Sequence, residues 1–382
     1  MFRRGLVFLV LLSAPAYASD RWQELKSEGL ARRPPARVAA TAETKTIDVD
    51  CTKGDSVQEA IDKNSGAIVV EIRGVCIENV RIENRDVTLH GLSAASDGLQ
   101  SPNTAPALVF QDSNNSRVEN LSLSNNPGTA LLLLDSFVSL VNCVANNNNI
   151  TAPTLGGNAI QATTHSFLDA TNLAMANNNR NCVLTNRDAS FFCHGCDFTS
   201  NIGWAATANN GSLLSLLRST VTQRLGVRAI NNSYADIDCI SEVSAHPCSM
   251  QATGRAAQAF SGGVAYLYGA GDFTGQVDAS DRAVIGVYGA RQLATGQPGQ
   301  GPSRNVIHAF GYLYANAAFD VDPALPSRIM GTDALQFGRI LVTDDTEVAG
   351  TIQCFSAGDA WLDPTVIAAP GATVTGCEHG TL

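Results

Sequence analysis

From residue 80 onward, apolar residues recur in short alternating runs rather than at helical spacing. Segments beginning at Val80, Ala107, Ala130, Ala159, Cys182, Trp204 and Val227 follow one another at steps of 27, 23, 29, 23, 22 and 23 residues. Each opens with about five strand-like residues, as in Ala130-Leu-Leu-Leu-Leu. A polar pair interrupts, a second apolar run follows (Phe137-Val-Ser-Leu140), and a third ends in asparagines. Two to three short strands with turns, repeated at a fixed period, predict one coil of a β-solenoid per repeat.

Asparagine placement supports that reading. Of 28 asparagines, 23 fall between Asn103 and Asn232, clustered at matching ends of coils: 125–126, 146–149, 177–179 and 201. Asparagine tolerates left-handed turn conformations, and its amide both donates and accepts along a stack of identical turns, so an asparagine ladder is expected. Leucine-rich and helical repeats lack such strands.

Ahead of the repeats, Ser56-x-x-Glu59 has the pattern of a capping box opening a short helix, with Val57, Ala60 and Ile61 on one face, followed by a strand at 67–72. A helix in that place is positioned to cover the open end of a β array. Beyond residue 250 the β pattern continues less regularly, at 264–268, 284–287, 306–314, 340–343 and 351–355, with a Gly/Pro loop at 296–302. The expected divisions are residues 1–18, a signal peptide; 19–45, a flexible tether; 46–79, the N-terminal cap and first coil; 80–249, regular coils; and 250–382, irregular C-terminal coils and a cap.

Composition narrows the setting. The chain has 382 residues, 16% of them charged, and a formal net charge of -10. Nothing so acidic releases counterions from a phosphate backbone, so nucleic acid is not an expected partner. Arg3 and Arg4, the apolar run 5–14 and Ala16-Tyr-Ala18 read as a secretory signal peptide. That run is too short to span a membrane, and no second stretch approaches the ~20 residues needed, so no membrane span is expected. Cleavage after Ala18 would leave 364 residues and a charge of -12. A secreted or periplasmic location follows. The ten cysteines are then expected in disulfides, with Cys51/Cys76, Cys239/Cys248 and Cys354/Cys377 as the local pairings. Cys193-His-Gly-Cys196 also has the spacing of a redox pair or half a zinc site, unsupported by a second such motif.

The segments Thr46-Ile-Asp-Val-Asp-Cys51, Gly54-Asp-Ser-Val-Gln-Glu-Ala-Ile61, Glu71-Ile-Arg-Gly74, Cys76-Ile-Glu-Asn-Val-Arg-Ile82 and Val87-Thr-Leu-His-Gly91 resemble the start of right-handed parallel β-helix proteins of the pectin lyase-like superfamily. The resemblance extends over residues 46 to 245. It implies an all-β fold, a right-handed parallel β-helix of three-faced coils with a polysaccharide groove along one side, often a lyase, hydrolase, esterase or epimerase of acidic sugars. The catalytic signatures of those enzymes are absent. Asp344-Asp345 lies far from where a polygalacturonase would carry its Asp-Asp, His194-Gly195 lacks the first glycine of Gly-His-Gly, and Gln161-Ala162 is followed by Thr163 instead of the arginine of a methylesterase. Fold is therefore better specified than reaction.

Candidate chemistry comes from stacking. Coils ~4.8 Å apart bring the polar pair of each repeat into a ridge, placing Asp112, Asp135, His165, Arg187 and Asp188 in one row. They are the candidate catalytic residues. Asp112 and Asp135 are also a candidate calcium site, because adjacent carboxylates either share a hard cation or repel so that one titrates higher. The alternative is that these are the polar turns every coil needs. The insertion at 150–157 is expected to flank a binding face. Tyr266, Tyr268, Tyr288, Tyr312 and Tyr314 crowd one stretch, and each i, i+2 pair points to one face of a strand, as sugar platforms or as packing. Arg180, Arg218, Arg224 and Arg228 either line a polyanion groove or are solvated surface charge. Two functions remain open: engagement of an extended, acidic polysaccharide, as a lyase-like or related enzyme, or a non-catalytic binding or structural solenoid.

Overall fold

The computed structural model describes residues 45–149, 158–239, 248–293, 304–316 and 327–379. The expected signal peptide, nearly all of the tether, the insertion at 150–157 and the loop at 296–302 lie outside them. The chain is an all-β parallel solenoid of about 13 turns. Three ladders run along it. In a typical coil the chain passes from a first face (Phe167–Thr171) to a second (Ala174–Ala176) and a third (Val183–Asn186) before returning to the first one coil on (Ser190–His194). All these strands pair in parallel, Phe167 opposite Ser190 and Ala174 opposite Asp197, for example.

Alternation decides what fills the interior. On the first face Leu168 and Ala170 point inward beneath Phe191 and Cys193, while Phe167, Asp169 and Thr171 point out. Inward residues from all three faces form one continuous apolar core along the described coils, with Phe110, Phe191, Phe198 and Phe273 the largest fully buried rings. The corners require left-handed backbone, and the asparagine expectation is met there. Asn120, Asn142 and Asn172 take φ of 51, 52 and 55° at the first-to-second corner, a conformation Asn accepts at small cost.

At the next corner the amides turn inward. Asn126, Asn148 and Asn178 are fully buried, and Asn201 is 3% exposed. Asn126 Nδ2 donates to Asn148 Oδ1 (2.8 Å), Asn178 Nδ2 to Asn201 Oδ1 (2.9 Å), and Asn201 Nδ2 to Gln223 Oε1 (2.7 Å). The same oxygens accept backbone N–H groups from the coil before. The ladder thus satisfies buried backbone, and itself at every rung but Asn148, whose Nδ2 finds no partner among the described residues.

The helix Val57–Asp62 lies between the first two strands of the first face, and its Val57 and Ile61 join the core. Ser56 caps it by accepting from Glu59 N–H. The reciprocal half of the capping box differs from expectation. Glu78 from the next coil takes the Ser56 hydroxyl and the Val57 and Gln58 N–H groups, while Glu59 pairs with Lys63. Past residue 219 the corners straighten. Strands of 11, 12 and 16 residues (Thr220–Ile230, Ser249–Phe260, Val264–Ala279) pass round two or three faces without a break. Gly275 (φ 122°) makes such a bend possible, because a Cβ there would lie 2.7 Å from Ala256 N.

Four disulfides form. Cys51–Cys76, Cys239–Cys248 and Cys354–Cys377 are as expected, and Cys193–Cys196 is also bonded, in place of a dithiol or zinc half-site. Full pairing of the ten is corrected: Cys143 and Cys182 are free, each fully enclosed in the core. Burial pushes the Cys143 thiol up to about 11 and raises Cys182 further. A thiol in the unfolded chain ionises near 8.5, so these groups contribute stability below that pH, which is lost as pH climbs toward about 11, by about 3 kcal/mol for Cys143. The expected outcome is no thiol reactive to a disulfide reagent in the native protein, two on unfolding without reductant, and an unfolding midpoint that falls between pH 8.5 and 11. Reactive thiols in the native state would contradict this placement. Among the described residues no helix is long and apolar enough to cross a membrane.

Candidate functional site

The ridge expected from the sequence is the corner between the third and first faces. Asp112 N–H donates to Leu134 C=O, Asp135 N–H to Thr164 C=O, His165 N–H to Arg187 C=O, and Asp188 N–H to Asn210 C=O, so the five candidate residues do form one row. Asp112, Asp135, Thr164, His165, Arg187 and Asp188 all have positive φ, between 45 and 59°. Their polar character thus has a backbone cause. One side-chain pair joins two candidates: His165 Nδ1 lies 3.4 Å from Asp135 Oδ1, both well exposed. Among the described residues, no three His, Cys, Asp or Glu side chains come together to hold a metal ion.

The tyrosines sit elsewhere, pointing outward from the first face. Register puts Asp236, Tyr266, Gly286 and Tyr314 in one column, and Asp238, Tyr268, Tyr288 and Asn316 in the next. Their rings touch in series. Tyr234 meets Tyr266 at 5.6 Å, Tyr266 meets Tyr268 and Tyr288 at 5.2 and 5.5 Å, Tyr268 stacks on Tyr288 at 5.1 Å, and Tyr288 reaches Tyr314 at 5.4 Å. The track spans four successive coils, about 14 Å at ~4.8 Å a coil. A glycine is the condition for it, since a Cβ at Gly286 would lie 2.2 Å from Tyr266 Cδ1 and 2.5 Å from Tyr288 Cε2. Tyr266, Tyr268, Tyr288, Tyr312 and Tyr314 are half-buried, so each shows part of its ring to solvent. Burial raises the Tyr288 phenol far above its ordinary value, with the neighbouring phenols adding to the rise, so it is a hydrogen-bond donor at neutral pH.

Toward the N-terminus this outward face becomes apolar and closed. Phe167, Phe192, Leu213 and Tyr234 form a second, small hydrophobic cluster with Phe137, Val264 and Tyr266 against it, and Phe137, Phe167 and Phe192 stack at 4.7 and 5.5 Å. Asp236 and Asp238 lie on the same face, each 2% exposed, and the Tyr234 hydroxyl donates to Asp236 Oδ2 (3.0 Å). Sequence reading missed this part because Phe167 and Phe192 occupy different positions within their strands. Register sets Phe192 opposite Asp169 and Phe167 opposite Ser190, so the two rings meet diagonally across adjacent coils.

The four arginines do not share a groove. Arg218 follows a first-face strand, Arg180 and Arg224 fall near the second-to-third corner, and Arg228 lies on the third face. The Arg228 guanidinium is 5.5 Å from the centre of the Trp204 ring and 5.9 Å from that of Phe260, and burial lowers its pKa. Near it Asp278 gathers Gln258 Nε2 (3.1 Å), Arg255 Nε (3.3 Å) and His308 Nε2 (3.6 Å).

No protein-family model matches the chain, and no curated protein matches it either. Among solved structures it is similar to the catalytic domain of a GH87 alpha-1,3-glucanase in complex with nigerose, at 10% identity over 90% of this chain and 69% of that one, with a TM-score of 0.41. It is also similar to the catalytic unit of a thermostable GH87 alpha-1,3-glucanase from Streptomyces thermodiastaticus strain HF3-3, at 14% identity over 91% and 70% of the two chains, TM-score 0.28. A hyper-glycosylated TibA fragment matches at 11% identity over 78% and 97%, TM-score 0.25. Membership of the pectin lyase-like superfamily therefore stays a resemblance, and what the chain has of its own is the parallel coil and the track upon it.

Proposed function

We propose that this chain is a secreted or periplasmic β-solenoid that binds an extended glycan along the tyrosine track of its first face. The observation that carries the reading is the unbroken series of five phenol rings, each 5.1–5.6 Å from the next, of which Tyr266, Tyr268, Tyr288 and Tyr314 are half-exposed over three coils while Tyr234 closes the buried end. A flat aromatic ring suits the apolar face of a sugar, while the phenol hydroxyl meets the sugar's edge. The ~4.8 Å rise of one coil is also the scale of one pyranose unit in an extended chain. The four disulfides accord with an oxidising compartment.

The two columns that carry the track hold no Lys or Arg, only Asp236, Asp238, Gly286 and Asn316 beside the tyrosines. A neutral glycan therefore fits better than the acidic polysaccharide expected from the family resemblance, which would need a positive partner, such as calcium, to hold it there. Affinity electrophoresis through gels containing neutral glucans, xylan, pectate or alginate tests this. Retardation by a neutral glycan that Tyr266→Ala abolishes is the expected result. Free migration in every gel would refute the reading.

A second reading, lyase-like chemistry at the ridge, rests on the Asp135–His165 pair at 3.4 Å, with Asp112, Arg187 and Asp188 beside it. A carboxylate and an imidazole in contact are the parts for proton abstraction. Their exposure on a turn counts against it. Absorbance near 235 nm on pectate and alginate, with calcium and then with chelator, separates the readings: unsaturated product lost in Asp135→Ala would favour chemistry at the ridge.

A further inference from the structure

The ridge ends differently from how it begins. The second residue of each corner is His165, Asp188, Gly211, Asn232, Gly262 and Arg282 in successive coils, all with positive φ. In the next two coils the same position is held by Phe310 and Phe337, with φ of 63 and 64°. Left-handed backbone favours Gly and Asn and is unusual for a bulky aromatic, so these two sites carry strain that Gly211, Asn232 and Gly262 avoid at the same position. Burial does not compensate it, because Phe310 is 62% and Phe337 52% exposed. Their rings are stacked, with centroids 5.0 Å apart and planes within 4° of parallel. Strain retained for an exposed aromatic pair points to a use for that pair.

The pair forms one wall of a groove of about 590 Å³, completed by Tyr312, Arg339, Asp359 and Glu378. Asp359 is fully engaged: it accepts from Ala360 N–H and His379 N–H on one oxygen, and from Trp361 Nε1 and His379 Nδ1 on the other. Burial works to raise its pKa, but the bonds from His379 and Ala360 outweigh that and hold it below the usual carboxylate range. It fixes the stacked Trp361 and His379 rings at the groove's edge. Arg339 and Glu378 have no side-chain partner among the described residues. The groove thus offers a stacked apolar platform, one free cation and one free anion. That balance favours a neutral, hydroxyl-rich ligand over a charged one, and the volume suits one or two sugar units.

We propose that this C-terminal groove is a second glycan site, taking a neutral pyranose with its apolar face on Phe310 and Phe337 and its hydroxyls on Arg339 and Glu378. The ligand class rests on the function proposed above; the site stands on its own residues.

The test is calorimetric titration of the full chain with neutral cello-, malto- and xylo-oligosaccharides, using Phe337→Asn for the groove and Tyr266→Ala for the track. Asparagine is the ridge's own solution at this corner, so Phe337→Asn is expected to melt at or above the wild-type temperature while binding at the groove weakens at least tenfold. Unchanged binding and stoichiometry in Phe337→Asn, with Tyr266→Ala defective, would overturn the groove and leave the track standing. Binding lost in Phe337→Asn and intact in Tyr266→Ala would support the groove and remove the track. No oligosaccharide bound by the wild type would overturn both. Tighter binding of oligogalacturonate than of any neutral sugar, lost in Phe337→Asn, would overturn the neutral assignment.

Discussion

Exchange of Asn178 for alanine is expected to destabilise the protein by about 3 kcal/mol, with no change in its surface. Asn178 is fully buried, and its side chain makes three bonds at the second-to-third corner. Nδ2 donates to Ala145 C=O (2.9 Å) and Asn201 Oδ1 (2.9 Å), and Oδ1 accepts from Asn148 N–H (2.9 Å). Alanine leaves the Asn148 N–H and the Ala145 C=O without partners in a dry interior, at ~1–3 kcal/mol for each orphaned group. In a solenoid each coil leans only on its neighbours, so the loss is felt as local opening of the coils around 126–201 before global unfolding. Hydrogen exchange and urea denaturation measure the two levels. A loss under about 1 kcal/mol, within the range of an ordinary surface change, would mean that the amide ladder does not hold this corner.

Binding is expected to fail in Gly286→Ala as fully as in Tyr266→Ala, although no ring is removed. The added methyl would sit 2.2 Å from Tyr266 Cδ1 and 2.4 Å from its Cε1, so the ring that joins Tyr234, Tyr268 and Tyr288 has to leave its place. Three aromatic contacts at ~0.5–1.5 kcal/mol each are disturbed together, and a track broken at its centre loses its far end as well. An affinity loss of about tenfold to a hundredfold corresponds to ~1.4–2.8 kcal/mol, which these contacts cover. Retained affinity in Gly286→Ala beside lost affinity in Tyr266→Ala would mean that a single ring binds, rather than the series.

Much of the fold was legible because a solenoid states itself repeatedly. The strand starts at Val80, Ala107, Ala130, Ala159 and Cys182 fall within a residue of strands observed at Val80, Leu108, Leu131, Ile160 and Val183. Asparagine runs marked the corners because left-handed backbone and amide stacking both select that side chain. The ridge was legible for the same reason, and that reason weakens it as a site: Asp112, Asp135 and Asp188 are what a corner with positive φ asks for in any case. The informative corners are those where the preference is broken, at Phe310 and Phe337, and they were passed over because alternation alone gives no φ. Tyr266 and Tyr268 were noticed as a pair, but their joining to Tyr288, Tyr314 and Tyr234 depends on register across coils of unequal length, set by the bends within residues 249–293. Glu78 in place of Glu59 at the helix start has the same origin, a partner one coil away.

The most direct test of the track is a length series. Oligosaccharides of the glycan that retards the protein, from disaccharide to octasaccharide, are titrated into the Phe337→Asn protein so that only the first face reports. Affinity is expected to climb with each added unit until the chain spans the three coils from Tyr266 to Tyr314 and then to level off, and the climb should vanish in Tyr266→Ala. An affinity already complete at the disaccharide, or a climb that survives Tyr266→Ala, would contradict an extended glycan lying along the tyrosines.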